Sequence, residues 1–520
     1  MLSNNNTQTM LTEEQIEIDK KFFVLQQSFS RNYEYIFSND LAEKTVIIIP
    51  SLTLDEEMLK TIKGVSHYEE RMLCMLMLLR MPKTNVVYLS SVPIDSTVID
   101  YYLHFLPGIT GYHARQRLTL LSCYDASRKS LTEKILDRPR LIERILHSVR
   151  NPAMAHIACF NVTNFEKELA VKLNVPVFGT DPALLHWGSK TGSRVIFKRA
   201  GIPLPAGFED LQDEGDIVKA LIDLKKNNPS LKRAVVKMND GFSGEGNAVF
   251  NYGDIDVNDS NSTSIVTDEL RNNLKLVARN VPYQLFLDKF IDMHGIVEEF
   301  VEGEKKESPS VQIRVNPASE IAIISTHDQI LGGESGQVYL GASFPADPAY
   351  SKEIAQLGNL VAIELLKEGI LGRFAVDFLS VKNDDKWLHY AIEINLRKGG
   401  TTHPFLMLQF LTEGTYDYNN GVYLMPNGEA RCYFASDNLA RHEYKGLTPH
   451  DLIDIAVCNN LLYDSVKQCG VMFNMIGALS QYGKLGVVCI GRNVEEAKAY
   501  YYKTEHVLNL ESIRTAAAKI

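Results

Sequence analysis

The residue types best suited to chemistry fall in one short stretch, residues 388–404, which reads LHYAIEINLRKGGTTHP. It begins as an apolar strand and ends in charged residues and glycines. Glu393 and Asn395 are two residues apart, and such residues point to the same face of a strand. A carboxylate beside an amide oxygen forms a hard oxygen site, which suits Mg2+ together with substrate phosphates. The alternative is a strand that simply ends in a polar loop.

The residues after this pair extend the same chemistry. Arg397 continues on the face of Glu393 and Asn395 as a fixed positive charge that would clamp a phosphate or carboxylate. Gly399 and Gly400 then allow the backbone to turn tightly. An isolated Glu-x-Asn pattern carries little weight, so the interpretation depends on the elements that must position it.

The preceding strand supplies a third oxygen ligand. The segment GRFAVDFLS carries Asp377, and the turn at residues 383–385 leads back into the strand of Glu393. Side chains that are opposite each other on paired strands can face one another. We therefore expect Asp377, Glu393 and Asn395 to meet at one place.

The composition indicates an ordinary globular protein. The chain has 520 residues, of which 45% are hydrophobic and 23% are charged. This length corresponds to about two to four domains. The net charge of -10 argues against a general nucleic-acid binder, which needs a cationic surface.

The location is predicted from what the sequence lacks. The seven cysteines form no CxxC pair, so neither a disulfide framework nor a zinc site is indicated. The N-terminus is polar, without the apolar core of a signal peptide, and no apolar run approaches the length of a membrane span. We expect a cytoplasmic protein with neither a nucleic-acid nor a membrane partner, and we leave a homodimer open.

The first part of the chain reads as a tail followed by an α/β domain. Residues 1–29 are predicted to form a polar tail and a helix. Residues 30–185 alternate short β-branched strands, such as TVIII at 45–49, with helices, which is typical of a doubly wound α/β domain. Residues 175–178 are predicted as one of its strands. No GxGxxG fingerprint is present, which favours a scaffold or substrate domain over a dinucleotide site.

A second unit is predicted over residues 186–430. It opens with the basic helix that carries Lys190, and a strand at residues 233–237 ends on Lys237. The glycine-rich turn DGFSGEG at 240–246 could cradle phosphates with its backbone N–H groups, or it could equally be a hairpin loop.

Residues 431–520 are predicted to form a third, small α+β unit. Thr448 and Pro449 are typical of a helix start, and residues 470–475 and 485–490 look like paired strands. The whole chain is therefore expected to combine α/β and α+β domains.

These motifs together resemble a known superfamily. Lys190, Lys237, the loop at 241–246, EEFVEG, Asp377 and EINLR follow the order found in the ATP-grasp ligases. The phrases HIACFNVTNFEKELA, THDQILGGESGQVYLG and EINLRKGGTTHP look like the pheganomycin-type peptide ligase branch. The resemblance covers roughly residues 30–510. It implies a pre-ATP-grasp α/β domain, a two-lobed ATP-grasp fold and a small α+β C-terminal domain.

The resemblance also implies roles in binding ATP phosphates. Lys190 and Lys237 would neutralise phosphate charge. Ser243, Gly244 and Glu245 would form a flexible loop over the β- and γ-phosphates.

For the rest of the nucleotide, the resemblance implies four residues. Glu298 would accept a hydrogen bond from the adenine amino group, and the backbone of Glu299 and Val301 would contact the ring edge. Glu304 would hold the ribose.

At the reacting end, the resemblance implies that Asp377, Glu393 and Asn395 bind Mg2+, with Mn2+ as an alternative. Arg397 would steady the transferred phosphoryl group or an acyl phosphate. Arg314 would bind a substrate carboxylate, although a surface charge on its strand explains it equally well.

The implied reaction joins a small-molecule carboxylate to an amine, such as an amino acid or short peptide, through an acyl phosphate with release of ADP and phosphate. Both steps concentrate negative charge, so fixed cations and a metal serve them better than a protein nucleophile. The alternatives are a nucleotide-binding regulator without turnover and a phosphotransferase that stops at a phosphorylated product. An adenylating enzyme would release AMP instead.

Overall fold

The structure of the protein, a computed structural model, describes residues 12–39, 41–54, 59, 62–240, 246–277, 281–332 and 338–517. Its first element is helix α1 (Glu13–Ser38), which begins at a capping box between Thr12 and Gln15. The helix continues across the predicted boundary at 29/30 because Phe29, Tyr33 and Ile36 still face the core.

Four parallel strands form the first sheet in the order β3-β2-β1-β4. Strands β1 and β2 are buried along their whole length, as expected for a parallel sheet covered on both faces. The elements, in chain order, are β1 (Lys44–Ile49), the 3-10 helix Val65–Arg80, β2 (Thr84–Ser90), α2 (Ser96–His104), α3 (Gly111–Arg115), β3 (Leu118–Ser122), α4 (Leu131–Leu136), α5 (Pro139–Ser148), the 3-10 helix Pro152–Met154, β4 (Ala155–Cys159) and α6 (Asn164–Leu173).

The strand predicted at residues 175–178 does not form. Only an isolated bridge between Ile157 and Val177 is present there. The side chain of Gln26 in α1 takes both backbone groups of Val177, accepting from its N–H at 3.0 Å and donating to its carbonyl at 2.9 Å. The backbone groups of Val177 are thus bonded to a side chain of the N-terminal helix and not to a further strand.

A five-stranded antiparallel sheet follows, in the order β5-β9-β6-β7-β8. One side of it packs on helices around a separate apolar core. Its elements are the 3-10 helix Pro182–Gly188, α7 (Lys190–Ala200), β5 (Gly207–Leu211), α8 (Glu214–Asn227), β6 (Arg233–Met238), β7 (Asn247–Asn251), α9 (Ser262–Asn273), β8 (Lys275–Leu276), α10 (Tyr283–Met293) and β9 (Gly295–Glu299).

The largest sheet contains β10 to β15 and is extended by strands from the C-terminal part of the chain. The antiparallel pairing predicted for residues 311–315 with 321–325 is present as β11 with β12. The elements of this part are β10 (Lys305–Glu307), β11 (Pro309–Val315), β12 (Ile321–Gly332), β13 (Val338–Phe344), α11 (Ser351–Lys367), β14 (Gly372–Asn383), β15 (Lys386–Asn395) and α12 (Thr402–Thr412).

The C-terminal strands extend this sheet, since β18 pairs with β13 and β20 with β18. The predicted pairing of residues 470–475 with 485–490 is present as β19 with β20. The remaining elements are β16 (Thr415–Asp417), β17 (Val422–Leu424), β18 (Cys432–Ala440), the 3-10 helix His442–Tyr444, α13 (Pro449–Cys458), β19 (Gly470–Asn474), α14 (Ala478–Tyr482), β20 (Lys484–Gly491) and α15 (Val494–Ala517).

One apolar core joins the N-terminal sheet, the large sheet and the C-terminal helices. Phe344 at the end of β13 is fully buried there. Its ring lies 5.3 Å from that of Phe405 and 5.1 Å from that of Tyr433, which belong to α12 and β18. Phe344 therefore ties the C-terminal strands to the rest of the sheet. Within the described parts of the chain, no helix is both long and apolar enough to cross a membrane.

We predict that Phe344→Ala lowers the free energy of unfolding by about 3–5 kcal/mol, because it leaves a cavity among rings that cannot close over it. Urea denaturation followed by aromatic circular dichroism measures the change. The matched control is Phe165→Ala, which removes a ring that is 40% exposed and should cost below about 1 kcal/mol. Equal effects of the two substitutions would contradict the role given to Phe344.

Candidate active site

The centre of the site is a pair of carboxylates that face each other across two strands. Asp377 on β14 is directly opposite Glu393 on β15. The amide nitrogen of Asn395 donates to Asp377 Oδ2 at 3.0 Å and to Glu393 Oε1 at 2.8 Å. Gln329 on β12 donates to the other Asp377 oxygen at 3.0 Å. The structure thus brings together the three oxygen-bearing residues that the sequence singled out.

Positive charges surround this carboxylate pair. Lys190, the first residue of α7, contacts Glu393. Burial, followed by repulsion from Lys237, lowers the pKa of Lys190 to about 7. Burial likewise lowers the pKa of Arg397 and raises that of Asp377. All these groups are half-buried or buried in the cleft wall, where charge–charge interactions are stronger than in bulk water.

The residues present fit a divalent cation. Two carboxylates opposite each other repel, and partial burial raises the pKa of Asp377. Carboxylate and amide oxygens are the ligands that Mg2+ prefers. Among the described residues, no group of three or more His, Cys, Asp or Glu side chains is arranged for a metal. The candidate site consists of two carboxylates and one amide.

Glu298 holds Lys237, the second lysine predicted to bind phosphate. Lys237 at the end of β6 lies 2.5 Å from Glu298 Oε1. Arg194 on α7 donates to Glu298 Oε2 at 3.1 Å and to the carbonyl of Pro205 at 2.9 Å. Glu298 is only 3% exposed. Both of its oxygens therefore face cations, and Glu298 also lines the cleft, so its contact with adenine stays a prediction.

The backbone segment predicted to contact adenine lies in the same cleft, and some of its groups already form hydrogen bonds within the protein. The N–H of Glu299 donates to the carbonyl of Ala206 at 2.8 Å, so that group does not contact a nucleotide. The carbonyl of Val301 accepts from Lys306 Nζ at 2.6 Å. Glu299 and Val301 both line the cleft.

The predicted ribose ligand, Glu304, lies outside the cleft, and a glutamate three residues later lines it. Glu304 is exposed and lies outside the cleft lining, whereas Glu307 belongs to it. Glu304 precedes β10, and the pairing of that strand with β14 brings Glu307 opposite Ser380. The two lysines between these glutamates obscured this register in the sequence.

The predicted substrate arginine, Arg314, does not line the cleft. Ser310 on the same strand does, but Gln312 donates to Thr401 at 2.6 Å, and Arg314 lies beyond that contact, opposite Arg373. The loop residues Ser243, Gly244 and Glu245 fall outside the described residues.

The cleft has a volume of about 1020 Å3, at the upper end of the range for small-molecule sites. Its far wall contains residues that sequence reasoning missed. Tyr68 and Arg71 come from the N-terminal unit, and Asp437 and Asn438 come from β18. Arg71 lies 2.8 Å from Asp437.

A local signal existed for only one of the missed residues. Arg194 is four residues after Lys190, on the same face of α7, and this spacing could have suggested a shared role. No local pattern relates Arg71 to Asp437, because they are far apart in the sequence and meet only in the folded chain.

Comparison with known protein families agrees with this fold. Residues 182–276 and 266–419 match the family described as IQCH-like, ATP-grasp, and residues 451–504 match the PGM1 C-terminal domain. The chain therefore contains an ATP-grasp domain followed by a C-terminal unit of the predicted kind. The predicted fold class and the resemblance to the ATP-grasp superfamily are confirmed.

Two curated relatives extend the match. The chain is 28% identical over 470 residues to L-propargylglycine–L-glutamate ligase of Streptantibioticus cattleyicolor, covering 88% of this chain and 92% of that protein. It is 21% identical over 448 residues to IQ motif-containing protein H of Danio rerio, covering 78% of this chain but 42% of that protein. The first relative thus matches along nearly its whole length, and the second only in part.

Among solved structures, the ATP-analogue complex of biotin carboxylase from Campylobacter jejuni superposes with a TM-score of 0.51 at 13% identity. The match covers 88% of this chain and 89% of that one. At this identity the likeness concerns the fold alone.

We predict that Arg194→Gln lowers the free energy of unfolding by on the order of 3 kcal/mol, because buried Glu298 keeps only one of its two cations. The control is Lys198→Gln on the same helix. Lys198 pairs with Glu209 and its side chain is 49% exposed, so its loss should cost below about 1 kcal/mol. Thermal and urea unfolding of both variants measure the difference, and similar costs would contradict the buried role of Arg194.

Proposed function

We propose that this protein is an ATP-dependent carboxylate–amine ligase that forms an amide through an acyl phosphate and releases ADP and phosphate. The observation that carries this proposal is the single cleft in which the Asp377–Glu393 pair meets Lys190, Lys237 and Arg397. Such a site stabilises negative charge on transferring phosphoryl groups, which is the main requirement of this chemistry.

The near-complete match to L-propargylglycine–L-glutamate ligase supports the same proposal. That protein's name describes the joining of two amino acids. We propose for this chain the same class of substrates, namely amino acids or short peptides, without assigning the two individual molecules.

Each residue has a physical task in the proposed reaction. Asp377, Glu393 and Asn395 would hold Mg2+, with Mn2+ as the alternative, and the bound ion would neutralise charge at the phosphates. Lys190 and Lys237 would bind the phosphates, since both are held at the cleft by carboxylates that phosphate oxygens can replace. Arg397 would orient the reacting carboxylate.

Arg397 is suited to that task because its guanidinium has no carboxylate partner among the described residues. Among these residues, its guanidinium donates a hydrogen bond to the carbonyl of Lys398 at 3.3 Å. Burial lowers its pKa from the ordinary value, so a carboxylate or acyl phosphate would find a poorly hydrated cation that presents a planar pair of donors.

A regulator that binds nucleotide without turnover is the main competing proposal. The retained Asp377, Glu393, Asn395 and Arg397 favour an enzyme, because binding alone does not require a carboxylate pair at the γ-phosphate end. A cytoplasmic location and a homodimer stay predictions.

The test is a screen of amino acids and short peptides as acid and amine, scored by ADP release and by mass detection of the new amide. A ligase needs both substrates for turnover. ADP release that yields a phosphorylated acid but no amide would favour a phosphotransferase, AMP release would favour adenylation, and nucleotide binding without turnover on any pair would favour a regulator.

We predict that Glu393→Gln folds normally but loses turnover by about a hundredfold or more, because it removes charge from the point where phosphoryl charge develops. Steady-state ADP release and the melting temperature are measured together. Glu495→Gln on exposed α15 is the control and should behave as wild type. A folded Glu393→Gln protein with wild-type turnover would refute the metal assignment.

We also predict that Glu307→Gln weakens ATP binding by about tenfold, because a carboxylate–hydroxyl bond to ribose would lose its charge. Glu304→Gln should leave the dissociation constant unchanged, since that residue is exposed outside the cleft. Calorimetry with a non-hydrolysable ATP analogue measures both. The opposite ranking of the two variants would restore Glu304 as the ribose ligand.

A further inference from the structure

The far wall of the cleft contains a β-bulge in β18. Ser436 pairs with Val487 and Leu439 with Leu485, so one extra residue is inserted on the β18 side between these pairs. A bulge interrupts the alternation of side chains and turns neighbouring residues towards one face. Asp437 and Asn438, although consecutive, both line the cleft.

The bulge is held in place by hydrogen bonds from neighbouring strands. Ser436 Oγ donates to the carbonyl of Leu340 at 2.7 Å and accepts from the N–H of Asn438 at 3.1 Å. The amide nitrogen of Asn438 donates to the carbonyl of Tyr339 at 3.1 Å. With its nitrogen bonded in this way, Asn438 has its oxygen left as an acceptor at the cleft.

Asp437 is kept as an anion at this position. Burial opposes its charge, but Arg71 and then His403 hold its pKa at about 2. Arg71 Nη2 lies 2.8 Å from Asp437 Oδ2, and His403 Nε2 lies 3.3 Å from Oδ1. Both carboxylate oxygens thus face a neighbouring nitrogen, and the residue is only 5% exposed. Asp437 nevertheless lines the cleft, so a donor on a bound molecule would reach the carboxylate from that side.

The bulge lies beside the loop that follows Arg397. A side-chain carbon at Gly400 would lie 2.7 Å from the ring of Tyr339, whose carbonyl holds Asn438. His403, at the start of α12, reaches Asp437 directly. The oxygen acceptors of the bulge and the guanidinium of Arg397 are thus connected through one short loop within one cleft.

We propose that Asp437 and Asn438 bind the free α-ammonium of the acid substrate while its carboxylate lies at Arg397. This inference rests on the proposed ligase function and narrows its acid substrate to an α-amino acid or a peptide with a free N-terminus. A carboxylate and an amide oxygen are complementary to an ammonium group. An N-acylated acid lacks that charge and would place an uncharged acyl group against these two acceptors.

Binding of the α-ammonium at Asp437 and Asn438 would also distinguish the amine of the acid substrate from the amine that attacks. The amine that attacks the acyl phosphate must lose its proton, whereas the ammonium of the acid substrate must stay protonated to avoid self-condensation. A permanent carboxylate beside the second group stabilises its charged form. The C-terminal unit would therefore supply part of the substrate specificity, through residues that position the acid.

The test measures the acid site separately from the amine site, by using hydroxylamine as the amine. The twenty L-amino acids and their N-acetyl derivatives are supplied with ATP and Mg2+, and ADP and hydroxamate are measured. We expect at least one free amino acid to be used at least about tenfold better than its N-acetyl form. Equal use of the two forms would overturn the proposal.

Asp437→Asn removes the charge while keeping the shape. We expect the KM for the amino acid to rise by about ten- to a hundredfold, with the KM for ATP unchanged and the preference over the N-acetyl form reduced. Asn438→Leu, which leaves the Arg71–Asp437 pair intact, should act in the same direction. Asp454→Asn on α13, where the residue is exposed, is the matched control.

A merely structural ion pair predicts a different pattern. Asp437→Asn would then lower the melting temperature and affect both KM values alike, and this result would overturn the proposal. If no acid of either kind releases ADP although the ATP analogue binds, the ligase function fails instead. The ammonium site is then judged from the melting-temperature shifts that free and N-acetylated amino acids cause in wild type and Asp437→Asn. Equal shifts would overturn it.

Discussion

Two carboxylates that face each other at the half-buried wall of the cleft determine its arrangement of charge. Asp377 and Glu393 are directly paired across β14 and β15, and like charges in that arrangement repel. The fold compensates with the amide of Asn395 between them and with Lys190 in contact with Glu393. A bound metal ion and a phosphate chain would replace this compensation. The stability of the region and its proposed chemistry therefore depend on the same arrangement of charges.

The counter-charges come from separate parts of the chain. Lys190 begins α7, Lys237 lies near the end of β6 in the five-stranded sheet, and Arg71 belongs to the N-terminal unit. Asp437 enters from the C-terminal part because β18 continues the sheet that contains β14. The large sheet thus fixes Asp437 relative to the Asp377–Glu393 pair, and a rigid scaffold of this kind is the usual way in which loops and strand ends gain precise geometry.

The sequence predicted the centre of the site because its signals are local. A two-residue spacing placed Glu393 and Asn395 on one face, and a short turn brought Asp377 opposite them. Other features depended on contacts that no local pattern contains. Gln26 binds the backbone of Val177, Arg194 and Lys237 contact both oxygens of Glu298, and the cleft wall with Arg71 and Asp437 forms only when distant segments meet. After β9 the cleft is lined by Glu307 and not by Glu304, a difference that the two intervening lysines obscured.

The charges of the cleft differ from one end to the other. Near β14 and β15 the cations gather around the carboxylate pair, and burial lowers the pKa of Lys190. At the Arg71 end, Arg71 and Asp437 form an ion pair, and Arg71 favours the ionised form of Asp437. A polyphosphate would therefore be attracted to the first end, while Asp437 would favour a cationic group at the second. A molecule that carries a carboxylate and an ammonium would be oriented by these two ends before any reaction takes place, and orientation of this kind lowers the barrier to the step that follows.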